Sequence, residues 1–252
     1  MKTGEIVFQR IRRGDLAGRC RVDSPVELFE PVALFNKDRA MVCKTGSRIT
    51  CAIAANVFVK CYFYRNFFSR LRHLFRVSRA GSSTGCALAV RQAGVPTPEP
   101  WGYLRERGMI LPVRDYLFTD VLPGETLFMH DFFRKSPCEA AEKLIRCLEK
   151  LHANGIEHGD LSLRNLYISS SGEAGVIDLD GCRLHKGPLC RRIRIRELAR
   201  VISSAAKTDT ALSLEECSRM FLELYNRICG HDLAGDELDS RVFYLYNRRR
   251  RA

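Results

Sequence analysis

The order of patterns along the chain predicts an α+β fold, rich in strands at the start and mainly helical later. Three observations carry this. β-Branched and aromatic runs cluster early, at RITCAIA (48–54) and NVFVKCYFY (56–64). The best-formed helical pattern, SPCEAAEKLIRCLEKLHANG, begins only at Ser136. A loop and a short hairpin, HGDLSLRN (158–165) with VIDLDG from Val176, then separate that helix from further helical stretches.

Taken in order, ALF at 33–35, RITCAIA and NVFVKCYFY read as strands, with CKTGSR (43–48) as a turn. Phe67, Phe68, Leu71, Leu74 and Phe75 follow at helical spacing among arginines. The stretch from Arg65 to Arg79 is either an amphipathic docking segment or a helix whose aromatics pack on the sheet while its arginines are solvated; we expect the packed form. A second helix is expected over Thr84–Gln92, ended by AGVPTPEP. DYLFTDVLPGETL reads as a strand running into a turn at Pro123-Gly124. In the main helix Ser136 is the expected cap, Pro137 suits the first position and Glu139 completes a capping box. Leu144, Ile145, Leu148 and Leu151 form its apolar stripe, and Asn154-Gly155 end it. NLYIS and AGVIDL are short strands about the turn SSSGE. Helices over Arg192–Ala206 and Ser213–Cys229, the latter with a Ser213/Glu216 capping box, and a last one in SRVFYLYNRRRR complete the chain.

Composition narrows the function classes. The 252 residues suffice for one large domain or two lobes. An apolar share of 46% with 28% charged residues excludes a disordered chain. The net charge of +12 points to a polyanionic partner. No recognition motif supports specific nucleic-acid binding. The eleven cysteines form no CxxC pair and lack zinc-site spacing, so they read as reduced, mostly buried thiols of a cytoplasmic protein. The start lacks a secretory signal, and no run of 18 apolar residues occurs.

Asp160, Asn165 and Asp178 carry the chemistry. Asp160 falls on a loop, Asn165 just before a strand and Asp178 at the end of the return strand, so the hairpin brings 165 and 178 together above 160. Phosphoryl transfer needs magnesium across the phosphates, a cation on them and an acceptor hydroxyl held in line. Hard oxygen donors suit magnesium, and a carboxylate near the hydroxyl accepts its proton. The plainer reading is three turn residues.

This spacing resembles the eukaryotic-like kinase superfamily, whose catalytic loop has an Asp, an Asn five residues on and a metal-binding Asp in a DFG-type motif. The resemblance implies a two-lobed protein-kinase-like fold, with a β-rich N-lobe over 1–117 and a mainly helical C-lobe over 118–252. It implies that Asp160 is the catalytic base or the hydroxyl-orienting group, that Asn165 and Asp178 bind Mg²⁺ (or Mn²⁺), and that Lys60 of VFVK contacts the α and β phosphates of ATP. Lys60 otherwise reads as a solvated strand-end lysine. CKTGSR stands where a phosphate-covering loop falls, offering Gly46, Ser47 and Arg48. Phe118–Leu122 is the expected hinge, whose backbone, Leu122 included, holds adenine; Asp120 is either a ribose contact or a turn-facing acid. His158 is expected to hold the loop and His152 to pack at its helix end.

Departures narrow the class. GSSTGCALAVRQAG has no glutamate to pair with Lys60, Gly159 stands where many protein kinases have Arg, and no A-P-E follows Asp178. A small hydroxyl acceptor is therefore expected rather than a peptide. SRAGSS…AGVPTPEP, VLPGETL and VIDLDGCRL with RIRELARVISS are similar to the bacterial lipopolysaccharide core kinases, the Kdo and heptose kinase family, with Asp178 and Asp180 in place of DFG. That likeness implies a lipopolysaccharide core or lipid A precursor as acceptor, at the anionic inner face of the inner membrane. Arg183, Lys186 and Arg191, with Arg192, Arg194, Arg196 and Arg200, are the expected anion contacts. Each is alternatively a solvated cation. The terminal RRRR is either a lipid-attracting patch or a frayed tail. Phosphotransferases of the aminoglycoside and choline type, an atypical protein kinase and a nucleotide-binding pseudokinase scaffold remain the alternatives.

Overall fold

A computed structural model describes residues 7–24, 31, 41–54, 56–123, 126–208, 212–230 and 233–248. The expected strand at 33–35 and most of the terminal arginine run lie outside the described residues. The chain divides into two compact units, residues 1–88 with 98–122, and residues 89–97 with 123–252. The boundary expected at 117/118 falls inside a strand, β7 below.

The first unit is built on β1 (Phe8–Arg13), β2 (Leu16–Arg21), β3 (Met41–Lys44), β4 (Ile49–Ala54), β5 (Val57–Phe63), α1 (Phe67–Leu74), α2 (Arg79–Gln92), β6 (Pro100–Gly108) and β7 (Leu111–Asp120). Its strands form one sheet in the order β1-β2-β6-β7-β5-β4-β3, every pair antiparallel. Alternation on β5 explains why it is central: Val57, Val59 and Cys61 turn into a core with Cys20, Leu104, Tyr116 and Phe118. Tyr62 faces the opposite side and packs with Ala80 of α2 and Leu117.

Two expectations are corrected here. α2 begins at Arg79, not Thr84, because Ser78 and Asp115 satisfy its first amides. The Gly81 N–H donates to Ser78 Oγ at 2.8 Å and the Arg79 N–H to Asp115 Oδ2 at 2.8 Å. Asp115 is fully buried and also holds Arg105 Nε at 2.8 Å and the Tyr64 hydroxyl at 2.6 Å. The second correction concerns α1, which forms where its spacing indicates but buries none of its residues. Its aromatics do not pack on the sheet: Phe68 is 82% and Phe75 is 86% exposed.

The second unit contains β8 (Leu127–Phe128), α3 (Met129–Lys135), α4 (Pro137–Ala153), β9 (Ile156–Glu157), β10 (Leu166–Ile168), β11 (Ala174–Val176), β12 (Arg183–Leu184), α5 (Arg191–Ala205), α6 (Leu214–Cys229) and α7 (Gly235–Arg248). Short 3-10 turns cover Leu163–Asn165 and Leu179–Gly181. α4 buries Leu144, Ile145, Leu148 and Leu151, and Gly155 follows it at φ +68°. Its expected capping box does not form. Ser136 also closes α3, its N–H bonded to Phe132 O, and its side chain makes no cap bond. At α6 the Ser213/Glu216 box forms in both directions.

All eleven cysteines are free thiols, seven of them buried. Burial pushes Cys20, Cys61 and Cys147 up to about 12, which leaves them unreactive. Among the described residues no helix is long and apolar enough to cross a membrane.

Candidate active site

The loop after β9 is held from beneath by α5. Glu197, 1% exposed, accepts the His158 N–H at 3.0 Å on one carboxylate oxygen and the Gly159 N–H at 2.7 Å on the other. Burial alone would raise this carboxyl; His152, whose Nε2 lies 3.5 Å away, and the backbone amides outweigh it and hold the group below the usual glutamate range. His152 is in turn fixed by the Tyr225 hydroxyl at 2.9 Å from Nδ1. Buried Leu161 and Leu163 and a Leu163 N–H bond to Ser204 Oγ at 3.1 Å anchor the far side of the loop.

Three links draw the loop and the hairpin together. His158 Nε2 meets the Ile177 carbonyl at 3.0 Å. Asn165 Nδ2 donates to the Asp160 carbonyl at 2.8 Å, and the Ile177 N–H donates to the Asn165 carbonyl at 2.9 Å. Gly159 (φ +84°) packs so closely that a Cβ there would lie 2.2 Å from Gly181 O. Only glycine meets both conditions, which accounts for HGD rather than HRD.

Register completes the site. β10 and β11 pair Leu166 with Val176, so Asn165 and Asp178 leave the hairpin at the same end. Asp178 adopts the left-handed conformation (φ 60°, ψ 61°). A non-glycine residue held there costs about 1–2 kcal/mol and persists only where its surroundings fix it. Asp160 and Asp178 are both exposed. The structure therefore brings Asp160, Asn165 and Asp178 together.

The donor set suits a hard divalent cation. The Asn165 amide is oriented by its Nδ2 bond, which leaves the Oδ1 oxygen outside that bond, and Asp178 is a carboxylate on a fixed backbone pose. Among the described residues no three His, Cys, Asp or Glu side chains gather. A cation here would be completed by oxygens from water and phosphates, as magnesium usually is.

The remaining sequence candidates fall in two groups. In the first unit, Lys60 sits on β5 with its ammonium 5.5 Å from the Tyr62 ring centroid, on the sheet face that packs Ala80 of α2. α2 carries no acidic residue along its length. Gly46 and Ser47 lie in the exposed connection between β3 and β4. The expected hinge is shorter than 118–122, because Phe118–Asp120 are still paired with β5 and the Asp120 N–H bonds Glu99 O. Only Val121 and Leu122 extend beyond the strand. Asp120 Oδ1 accepts the Trp101 indole N–H at 2.7 Å.

In the second unit, Arg183 lies on β12, paired with Glu157 of β9, and Lys186 follows in an exposed segment. Arg191 opens α5, its Nε 3.3 Å from Glu237. Two other arginines of the basic run have structural partners. Arg194 is buried with its Nε on Leu189 O at 2.6 Å, and Arg196 bonds Glu157 at 2.6 Å.

Residues 87–222 match the lipopolysaccharide kinase (Kdo/WaaP) family, more than half of the chain. The chain belongs to this family. It is a kinase, a phosphotransferase of the lipopolysaccharide core, and membership implies ATP and a divalent metal. The fold is also similar to a solved structure, WaaP in complex with acyl carrier protein, at 20% identity over 89% of this chain and 90% of that one, with a TM-score of 0.57. That likeness establishes a protein-kinase-like fold. No curated protein matches this chain in sequence.

For a Kdo/WaaP kinase the sequence reading overlooked Glu197, which supports the loop from within RIRELARVISS. Its signal was an acid among the mostly apolar positions of that helix, Ile195, Leu198, Val201 and Ile202. Buried acids are rare unless paired or hydrogen-bonded, so such an acid marks a partner elsewhere.

Proposed function

We propose that the chain transfers the γ-phosphoryl group of ATP to a sugar hydroxyl of the lipopolysaccharide inner core, Kdo or heptose, while peripheral at the cytoplasmic face of the inner membrane. The observation that carries this reading is the convergence of Asp160, Asn165 and Asp178 at one end of a hairpin, within the span that matches the family.

In this reading Asp160 orients the acceptor hydroxyl and takes its proton as the new phosphorus–oxygen bond forms and the bond from the γ-phosphorus to the β–γ bridging oxygen breaks, releasing ADP. Asn165 and Asp178 would hold the divalent cation, Mg²⁺ or Mn²⁺, which supplies charge neutralisation across the phosphates. Lys60 is assigned to the α and β phosphates, with Gly46 and Ser47 as a covering loop. Val121 and Leu122 are the backbone contacts to adenine, and Asp120 stands at the ribose end of that segment. Arg183, Lys186 and Arg191 are assigned to the carboxylate or phosphates of the acceptor, whose geometry guanidinium forks match. The segment that carries them is tied to β9 and to Gly155 just before it. Glu157 holds His185 Nε2 at 3.0 Å, and the His185 N–H donates to Gly155 O at 2.8 Å. The WaaP structure contains an acyl carrier protein, and such a carrier is a second partner to test here.

Transfer of ³²P from labelled ATP to purified lipid A–core, small aminoalcohols, aminoglycosides and a generic protein tests the acceptor. Labelling confined to lipid A–core supports the proposal. Preferential labelling of an aminoalcohol, an aminoglycoside or protein overturns it, as does ATP binding with no transfer to any acceptor.

A further inference from the structure

α1 is mounted the wrong way round for a helix of a water-soluble surface. Such helices turn an apolar stripe inward and a polar face to water. Here the polar side is the one held by the protein. The His73 ring stacks on Tyr64 at 4.3 Å between centroids, and Arg70 Nε donates to the Tyr64 carbonyl at 2.7 Å. Arg105 Nη1 donates to the carbonyls of His73 and Arg76, each at 3.2 Å. At 100° per residue, Phe67, Phe68 and Leu71 lie about 60° to 160° round the helix from Arg70 and His73, while half-buried Leu74 stands beside Arg70. Phe67 is 63%, Phe68 82% and Leu71 40% exposed, and Phe75 and Val77 continue the apolar surface beyond the helix end.

In sequence the charge of this segment is of one sign, and the acid packed behind it, Asp115, is fully buried and paired with Arg105. No Asp or Glu occurs between Asp38 and Glu99, while Arg65, Arg72 and Arg76 are exposed within or beside the phenylalanines. The β6–β7 hairpin, whose Arg105 anchors α1, ends in a second apolar tip: Met109 is 99% and Ile110 70% exposed. Phenylalanines flanked by arginines on a helix fixed by its polar side form the arrangement of an interfacial helix. The rings enter the headgroup boundary, and the guanidinium groups reach lipid phosphates.

We infer that α1, with Phe75, Val77 and the Met109–Ile110 tip, docks the kinase on an anionic lipid bilayer. This deepens the membrane part of the proposal above, and it places the contact in the first unit rather than in the terminal arginine run.

Sedimentation of the full chain with phosphatidylglycerol/phosphatidylethanolamine vesicles, at low and high salt, tests it. Phosphatidylcholine vesicles are the uncharged comparison. The inference expects binding to the anionic vesicles that weakens with salt, at least tenfold weaker binding to phosphatidylcholine, and at least tenfold weaker binding by Phe68→Glu/Phe75→Glu. Met109→Glu, in the first unit but on a separate element, gives an independent reading and is expected to lose affinity as well. Equal binding by the wild type and both variants overturns the inference, as does absence of wild-type binding at low salt. Binding of purified acyl carrier protein that the same substitutions abolish, without any vesicle binding, also overturns it. Phosphorylation of a delipidated core oligosaccharide separates this test from the acceptor proposal. The variants are expected to retain wild-type turnover on that soluble acceptor whichever way the vesicle result falls.

Discussion

The carboxylate of Glu197 accepts the Gly159 amide at 2.7 Å, and so a buried acid on α5 fixes the residue immediately before Asp160. Its second oxygen takes the His158 amide at 3.0 Å. The loop geometry is thereby set by a residue that stands outside the loop.

Glu197→Gln keeps the volume but presents an amide donor to one of two backbone donors. The expected loss is about 1–3 kcal/mol, the cost of a buried unpaired polar group, measured by urea unfolding at pH 7. The acid limb gives the sign. The folded carboxyl sits below its unfolded value of about 4.3. Its stabilising contribution is therefore complete above that pH and is lost as pH falls through the lower folded value. The stability gap between wild type and variant should narrow on acidification below about pH 4; a constant gap would contradict the assignment.

Gly159→Ala places a Cβ 2.2 Å from Gly181 O at a backbone φ of +84°. The loop must move, and a displacement near 1 Å costs on the order of 10²-fold in turnover. Steady-state kinetics at saturating ATP should show the loss in kcat. Wild-type kcat in this variant would contradict the packing argument.

Asp178 offers a separation of stability from function. Asp178→Gly relieves the left-handed conformation, whereas Asp178→Ala retains it. The glycine variant should melt at or above the alanine variant, a difference of about 1 kcal/mol at most. Both should lose metal-dependent nucleotide affinity by calorimetry. Unchanged Mg²⁺-ATP affinity in either would remove Asp178 from the metal site.

Two serine caps that look alike in sequence should behave differently. Ser213→Ala breaks a formed capping box and is expected to cost about 1 kcal/mol. Ser136→Ala removes a side chain that makes no cap bond, so a change within about 0.5 kcal/mol is expected. Thermal unfolding of the two variants side by side checks this.

The sequence read most clearly where short-range patterns decide the structure. β5, α4, the β10–β11 hairpin and the offsets among Asp160, Asn165 and Asp178 follow from local alternation, helical spacing and turn chemistry. β1, β2 and β6 were not legible. FQRIRR and LAGRCR alternate weakly because little of their surface is buried, and PWGYLRERG is broken by glycines that allow close strand approach. The Ser136 cap failed because the same residue ends α3, a contact between neighbouring helices that no periodicity records. Glu197 and Asp115 were hidden for a related reason: each is a buried acid whose partners come from distant segments. The exposed side of α1 reverses the usual rule, so spacing located the helix but gave the wrong face.

If Asp160 acts on the acceptor hydroxyl, single-turnover transfer of ³²P from ATP to lipid A–core must separate wild type from Asp160→Ala. A rate loss of roughly 10²–10⁴-fold is expected, with ATP affinity and melting temperature unchanged. Transfer at the wild-type rate in Asp160→Ala would contradict it.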